Sequence, residues 1–175
     1  MRREEICQLY CNDIHKDEEI YFFDINELSD KGSEDKHLKN KNARRKVPIH
    51  DKLISLGLLE YLEKMKLSNM ERLFPELKKQ GDKYGDQVGK RFKYLLKKLN
   101  IKDIEKKSFH SLRHSFNDFF KTRHMQNPVF TQVFGHEQET LATSQYGSEF
   151  SVKQCYNEII SKLHYEGEEN LQKEI

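Results

Sequence analysis

Residues 108–136 read Ser108-Phe109-His110-Ser111-Leu112-Arg113-His114-Ser115-Phe116-Asn117-Asp118-Phe119-Phe120, and run on through Asn127-Pro128 to Phe134-Gly135-His136. Phe109, Leu112, Phe116, Phe119 and Phe120 recur at intervals of three and four residues, the period of an amphipathic helix, with Ser108 placed to cap it. His110 and Arg113 are three apart and project from one face of that helix. An imidazole and a guanidinium presented together suit a planar, doubly charged oxygen group such as a phosphate. Asn127-Pro128 opens a second helix, because proline is tolerated at a helix start, and Gly135 ends it. His136 follows, and Tyr146 stands ten residues later beyond a polar turn. Tyrosine can act as a covalent nucleophile. His110 and His114 also have a spacing that can hold zinc, but Ser111 stands where a zinc peptidase carries its glutamate, and no third ligand is obvious.

Outward from this stretch, Glu19–Ile25 is an aromatic and β-branched run and reads as a strand. His37–Lys41 and Arg44–Ile49 read as two more strands joined at Asn42-Ala43, giving a three-stranded antiparallel sheet. Residues 2–10 read as a short helix. Asp51–Lys66 reads as an amphipathic helix capped by Asp51. Asp86–Leu99 reads as another, with Val88, Phe92, Leu95, Leu96 and Leu99 turned inward and the lysines outward. Val152, Tyr156, Ile159, Ile160 and Leu163 form one apolar stripe on a last helix. The expected class is α+β, mostly helical with one small sheet.

At 175 residues the chain has the size of one domain. Charged residues make up 34% and apolar residues 35%, and aromatics are plentiful, which excludes a disordered chain. A net charge of +2 does not by itself announce a nucleic-acid binder. The distribution says more: residues 31–50 hold seven Lys/Arg against two acids, and residues 83–107 hold nine against three. Two such segments can build a DNA-facing surface, although lysine-rich helix faces can equally be plain solvated surface. The sequence has no apolar run long enough to cross a membrane and no secretory leader pattern. The three cysteines, Cys7, Cys11 and Cys155, lack zinc-site spacing and read as small buried hydrophobes in a reducing cytoplasm.

His110-x-x-Arg113, Gly135-His136 and Tyr146 together resemble the second half of the active site of the tyrosine recombinase (phage-type integrase) family. Arg2-x-x-Glu5-Ile6-x-x-Leu9 fits the helix that carries the family's first arginine; Arg3 competes, but only Arg2 has the right offset from Glu5-Ile6. Lys39-Asn-Lys41-Asn-Ala-Arg44-Arg45-Lys46-Val47-Pro48 fits the basic stretch that carries its lysine, with Lys39 favoured over Lys41. The elements occur in the family's order and span residues 2 to 146.

The resemblance implies site-specific DNA recombination, with integration or excision of mobile DNA through a 3′-phosphotyrosine intermediate. Tyr146 would attack the scissile phosphate. Arg2 and Arg113 would hold its non-bridging oxygens, His110 and His136 would donate hydrogen bonds or shuttle protons, and Lys39 would protonate the departing 5′ oxygen. Tyr156 competes with Tyr146 but lies at an apolar helical position. The implied partners are double-stranded DNA and further copies of the chain, as a homotetramer on DNA, in the nucleoid. No cofactor, metal, membrane or small-molecule substrate is implied. The segment beyond the tyrosine often docks on a neighbouring subunit in such enzymes, whereas the apolar stripe of the last helix can equally pack on its own domain. Family members usually carry a helical clamp domain and further helices ahead of the first arginine, and here Met1 immediately precedes Arg2. The expected organisation is an N-terminally truncated catalytic domain over residues 1–165 with an acidic tail over 166–175. The competing expectation is a DNA-binding remnant that keeps the fold and has lost cleavage.

Overall fold

A three-stranded antiparallel sheet in the order β1-β2-β3 joins the two halves of the chain. The computed structural model describes residues 1–28, 36–39, 43–81, 83–136 and 149–164. Strand β1 is Ile14–Asp17, β2 is Ile20–Ile25 and β3 is Arg45–Pro48. Phe23 sits opposite Ile14 on one side and Val47 on the other, and Ile25 sits opposite Arg45. Phe23, Ile25 and Val47 enter the core with Val129, Val133 and Ile159 from the C-terminal half. On the other face Phe22 is covered by the stacked ring of His15 and by the Lys46 ammonium.

The class is the α+β class expected, but the sheet corrects one of its strands. Among the described residues the third strand is Ile14–Asp17; of the strand expected over His37–Lys41, residues 37–39 join no ladder and residues 40 and 41 lie outside the described residues. In Ile14-His-Lys-Asp only Ile14 is buried, so the strand carries almost no hydrophobic signal.

Helix α1 covers Arg3–Cys7, shorter than the expected 2–10. The helix expected over 51–66 divides at Gly57, whose φ of 90° interrupts it, into α2 (Asp51–Ser55) and α3 (Leu58–Leu67). Its cap is His50, whose Nδ1 accepts the Lys52 N–H at 3.0 Å, and Asp51 lies in the first turn instead. Helix α4, Asp86–Lys98, is pinned to α1 by Glu4, whose carboxylate accepts the N–H groups of Tyr84 and Gly85. Leu95 and Leu99 on α4 are exposed rather than turned inward.

Helix α5 covers Phe109–Thr122, with Ser108 at its N-cap. Helix α6, Pro128–Phe134, starts where Asn127 accepts the Phe130 N–H at 2.8 Å and stops at Gly135, whose φ is 73°. Helix α7, Val152–Glu158, runs into a 3-10 turn over Ile160–Lys162. Val152, Cys155, Ile159 and Ile160 are buried, and Ile159 is 0% exposed, so the stripe of this last helix packs on its own domain. All three cysteines are buried and free. Among the described residues no helix is long and apolar enough to cross a membrane.

Candidate active site

The start of α1, the first turn of α5 and the end of α6 meet at one place, and each brings a sequence-predicted residue with it. Glu5 holds the floor together. It is buried, and its carboxylate accepts from Arg45 Nη2 at 2.9 Å and from Arg2 Nη1 at 2.8 Å. Arg45, at the start of β3, also donates Nε to the Val133 carbonyl at 3.1 Å and Nη1 to the Ala43 carbonyl at 2.6 Å. Arg2 donates Nη2 to the Gly135 carbonyl at 2.9 Å, next to His136. Burial by itself raises the Glu5 pKa, but the Arg45 hydrogen bond and charge, then Arg2, outweigh it and hold the carboxyl at about 2. Arg3 lies against Gly85 and Gly89 at the start of α4 and pairs with Asp86 at 3.5 Å while also lining a cavity beside Arg113, whereas Arg2 is the arginine of this pair that bonds Glu5 and the turn before His136.

Arg113 is 9% exposed, whereas its apolar neighbour Leu112 is 52% exposed, so α5 turns its guanidinium inward. The guanidinium carbon lies 3.6 Å from the centre of the Phe134 ring. Nη1 and Nη2 are both buried and have no hydrogen-bond partner among the described residues. Burial first, then the Arg2 and Arg45 charges, lower the Arg113 pKa to about 10. Among the described residues, the buried Glu5 carboxylate bonds Arg2 and Arg45 and reaches Arg113 only as a charge. Beside Arg113 lies a cavity of about 270 Å³ with walls that include Phe23, Val47, Phe109 and Phe134. Apolar walls keep the local dielectric low and strengthen the pull of these charges on an anion.

His136 leaves α6 with its ring 4.4 Å from that of Phe134, centre to centre and edge to face. His110, at the mouth, packs edge to face against His114 at 4.8 Å. Its pKa is lowered by desolvation, then by the charges of His114, Arg113, Arg2 and Lys39. Three of the predicted residues, Arg113, Arg2 and Lys39, thus lie within electrostatic reach of one imidazole, and the shift favours its neutral form, which can both give and accept a proton. Lys39 is exposed. Tyr146 lies outside the described residues. Tyr156, its competitor, donates its hydroxyl to Asp51 at 2.6 Å, and that bond, then burial, pushes its pKa up to about 12. Among the described residues no group of three or more His, Cys, Asp or Glu side chains could hold a metal ion.

Against known proteins, the model of the phage integrase family matches residues 1–150. The chain belongs to the phage integrase family. That family is made up of DNA-cleaving and rejoining recombinases, and it acts on DNA. No curated protein and no solved structure gives a significant match. In this integrase-family chain the sequence alone does not single out Arg45, which stands as one more charge in a basic run. The signal was alternation: in Arg44-Arg45-Lys46-Val47 the second and fourth side chains are buried and the others exposed.

Proposed function

We propose that this chain performs site-specific DNA recombination, with cleavage by tyrosine transesterification. The buried guanidinium of Arg113, whose Nη1 and Nη2 have no hydrogen-bond partner among the described residues, carries the reading. A buried polar group without a partner costs free energy, and a buried charge costs more, so its persistence suits a ligand that supplies the missing acceptors. A phosphodiester oxygen does so with the right charge and geometry. Tyr146 attacks the scissile phosphorus and its proton passes to a histidine, His110 or His136. The bond from phosphorus to the 5′ oxygen breaks, and Lys39 donates a proton to that oxygen. Arg2 and Arg113 stabilise the charge that grows on the non-bridging oxygens. Rejoining reverses these steps. The catalytic unit spans residues 1–165 and works as a homotetramer on DNA.

Arg113→Met tests the carrying observation. Removing an uncompensated buried charge leaves thermal stability unchanged or raised, whereas DNA cleavage falls on the order of 100- to 1000-fold, the usual cost of one oxyanion donor. A variant that unfolds at much lower temperature yet keeps its cleavage rate would mean that Arg113 is a structural residue.

A further inference from the structure

Lys39 is exposed, and a long cation on a surface segment needs something to aim it. The residues before it are tied down by contacts that the catalytic reading leaves without a purpose. Lys36 is buried, and its ammonium lies 2.6 Å from each carboxylate oxygen of Asp13 and 3.1 Å from Asn26 Oδ1. It also faces the Tyr10 ring at 4.8 Å. Asp13 is held in turn, accepting the Tyr10 N–H at 2.7 Å. One residue on, the Gln8 side-chain amide engages both backbone groups of His37, donating to its carbonyl at 3.1 Å and accepting its N–H at 2.9 Å. Leu38 enters the main core. Along 36–39 the side chains alternate buried, exposed, buried, exposed.

In such an alternating segment a slip of one residue sends every side chain to the opposite side. Apolar anchors alone tolerate such slips, because one hydrophobe replaces another. An ammonium held by the Asp13 carboxylate and Asn26 does not, and fixing register is the best-attested use of buried polar or ionic groups. We propose that Gln8 and the Asp13–Lys36 pair are positioning residues that fix the register of 36–39, so that Lys39 projects toward the scissile phosphate and protonates the leaving 5′ oxygen. This inference rests on the reading of Lys39 as that proton donor.

The test is chemical rescue of the leaving group. The substrate is a nicked duplex carrying a cleavage site selected from random-sequence DNA by covalent capture on the wild-type chain. A second duplex has sulfur in place of the bridging 5′ oxygen at that site. A thiol has a pKa of about 8.5, so a thiolate departs without a proton donor. Cleavage of the oxygen duplex falls roughly 100-fold or more in Lys39→Ala, the usual worth of a positioned general acid. It falls roughly 10- to 100-fold in Gln8→Ala and in Asp13→Asn/Lys36→Met, the scale of a misplaced catalytic group. The sulfur duplex brings all three variants back to within a few-fold of the wild type. Amide exchange at His37, measured without DNA, accelerates in Gln8→Ala. Rescue of Lys39→Ala alone would overturn the positioning role and leave the proton-donor reading standing. Failure to rescue Lys39→Ala would remove the donor reading itself, and unimpaired cleavage of the oxygen duplex by both positioning variants would also overturn the inference. Absence of any capture by the wild type would overturn the recombinase reading, and the inference with it.

Discussion

Glu5 shows how one carboxylate arranges a cationic site. It neutralises part of the charge of Arg2 and Arg45 and ties α1 to β3 in one contact, while Arg113 Nη1 and Nη2 have no hydrogen-bond partner among the described residues. Removing one partner of a buried ion pair is costly because the other charge is stranded, so Glu5→Gln is expected to lose about 3–5 kcal/mol at neutral pH. The pH dependence has a definite sign. The folded-state pKa of Glu5 is depressed to about 2, so its contribution is present in full above the ordinary carboxylate value. It is lost as pH falls from about 4.5 toward about 2. Urea unfolding across that window should show the gap between wild type and Glu5→Gln closing with acid. A gap that stays constant would mean that the pair contributes nothing through the charge of Glu5.

At the scale of elements, the turn from α6 into His136 is the tightest constraint. Gly135 has a φ of 73°, and a Cβ there would stand 2.6 Å from Arg45 Cζ. Its carbonyl also holds Arg2. Gly135→Ala is therefore expected to cost at least about 1–2 kcal/mol for the left-handed conformation, and more for the displaced guanidinium. The check is a thermal melt together with cleavage rate, and both should fall. How much of this was legible follows the same physics. Helices α5 and α6 announced themselves, because Ser108, Asn127-Pro128 and Gly135 are local signals acting through the residues next to them. The face of α5 was half legible: Phe116 and Phe120 turn inward as their period requires, but Arg113 is buried and Leu112 exposed against the pattern. Such departures from hydrophobic patterning are expected at functional sites, and an anion-holding role for Arg113 fits this one. Strand β1 was illegible, because its partners are set by the turn at Glu18 and by β2 rather than by its own side chains. The contacts of Lys36 with Asp13 and of Gln8 with His37 join residues more than twenty positions apart, and no local spacing reveals such a pair.

On the scale of the whole molecule, the basic segments are the surface expected to meet DNA. Lys90, Arg91, Lys93, Lys97 and Lys98 are exposed along α4, which packs beside α5. Phosphate contacts release condensed counterions, so each one lost lowers the slope of log affinity against log salt by about 0.9 for duplex DNA. Lys97→Gln and Lys98→Gln should each weaken binding to every duplex alike and reduce that slope by about one contact, as read by fluorescence anisotropy at several salt concentrations. An unchanged slope would mean that this face of α4 stays in solvent. The account as a whole depends on the cationic site working with one nucleophile. The most direct measurement is covalent capture of a nicked duplex on a denaturing gel, with the wild type, Tyr146→Phe and Tyr156→Phe side by side. The account predicts an adduct with the wild type and with Tyr156→Phe, and none with Tyr146→Phe. An adduct that survives in Tyr146→Phe, or that disappears in Tyr156→Phe while the fold is retained, would contradict it.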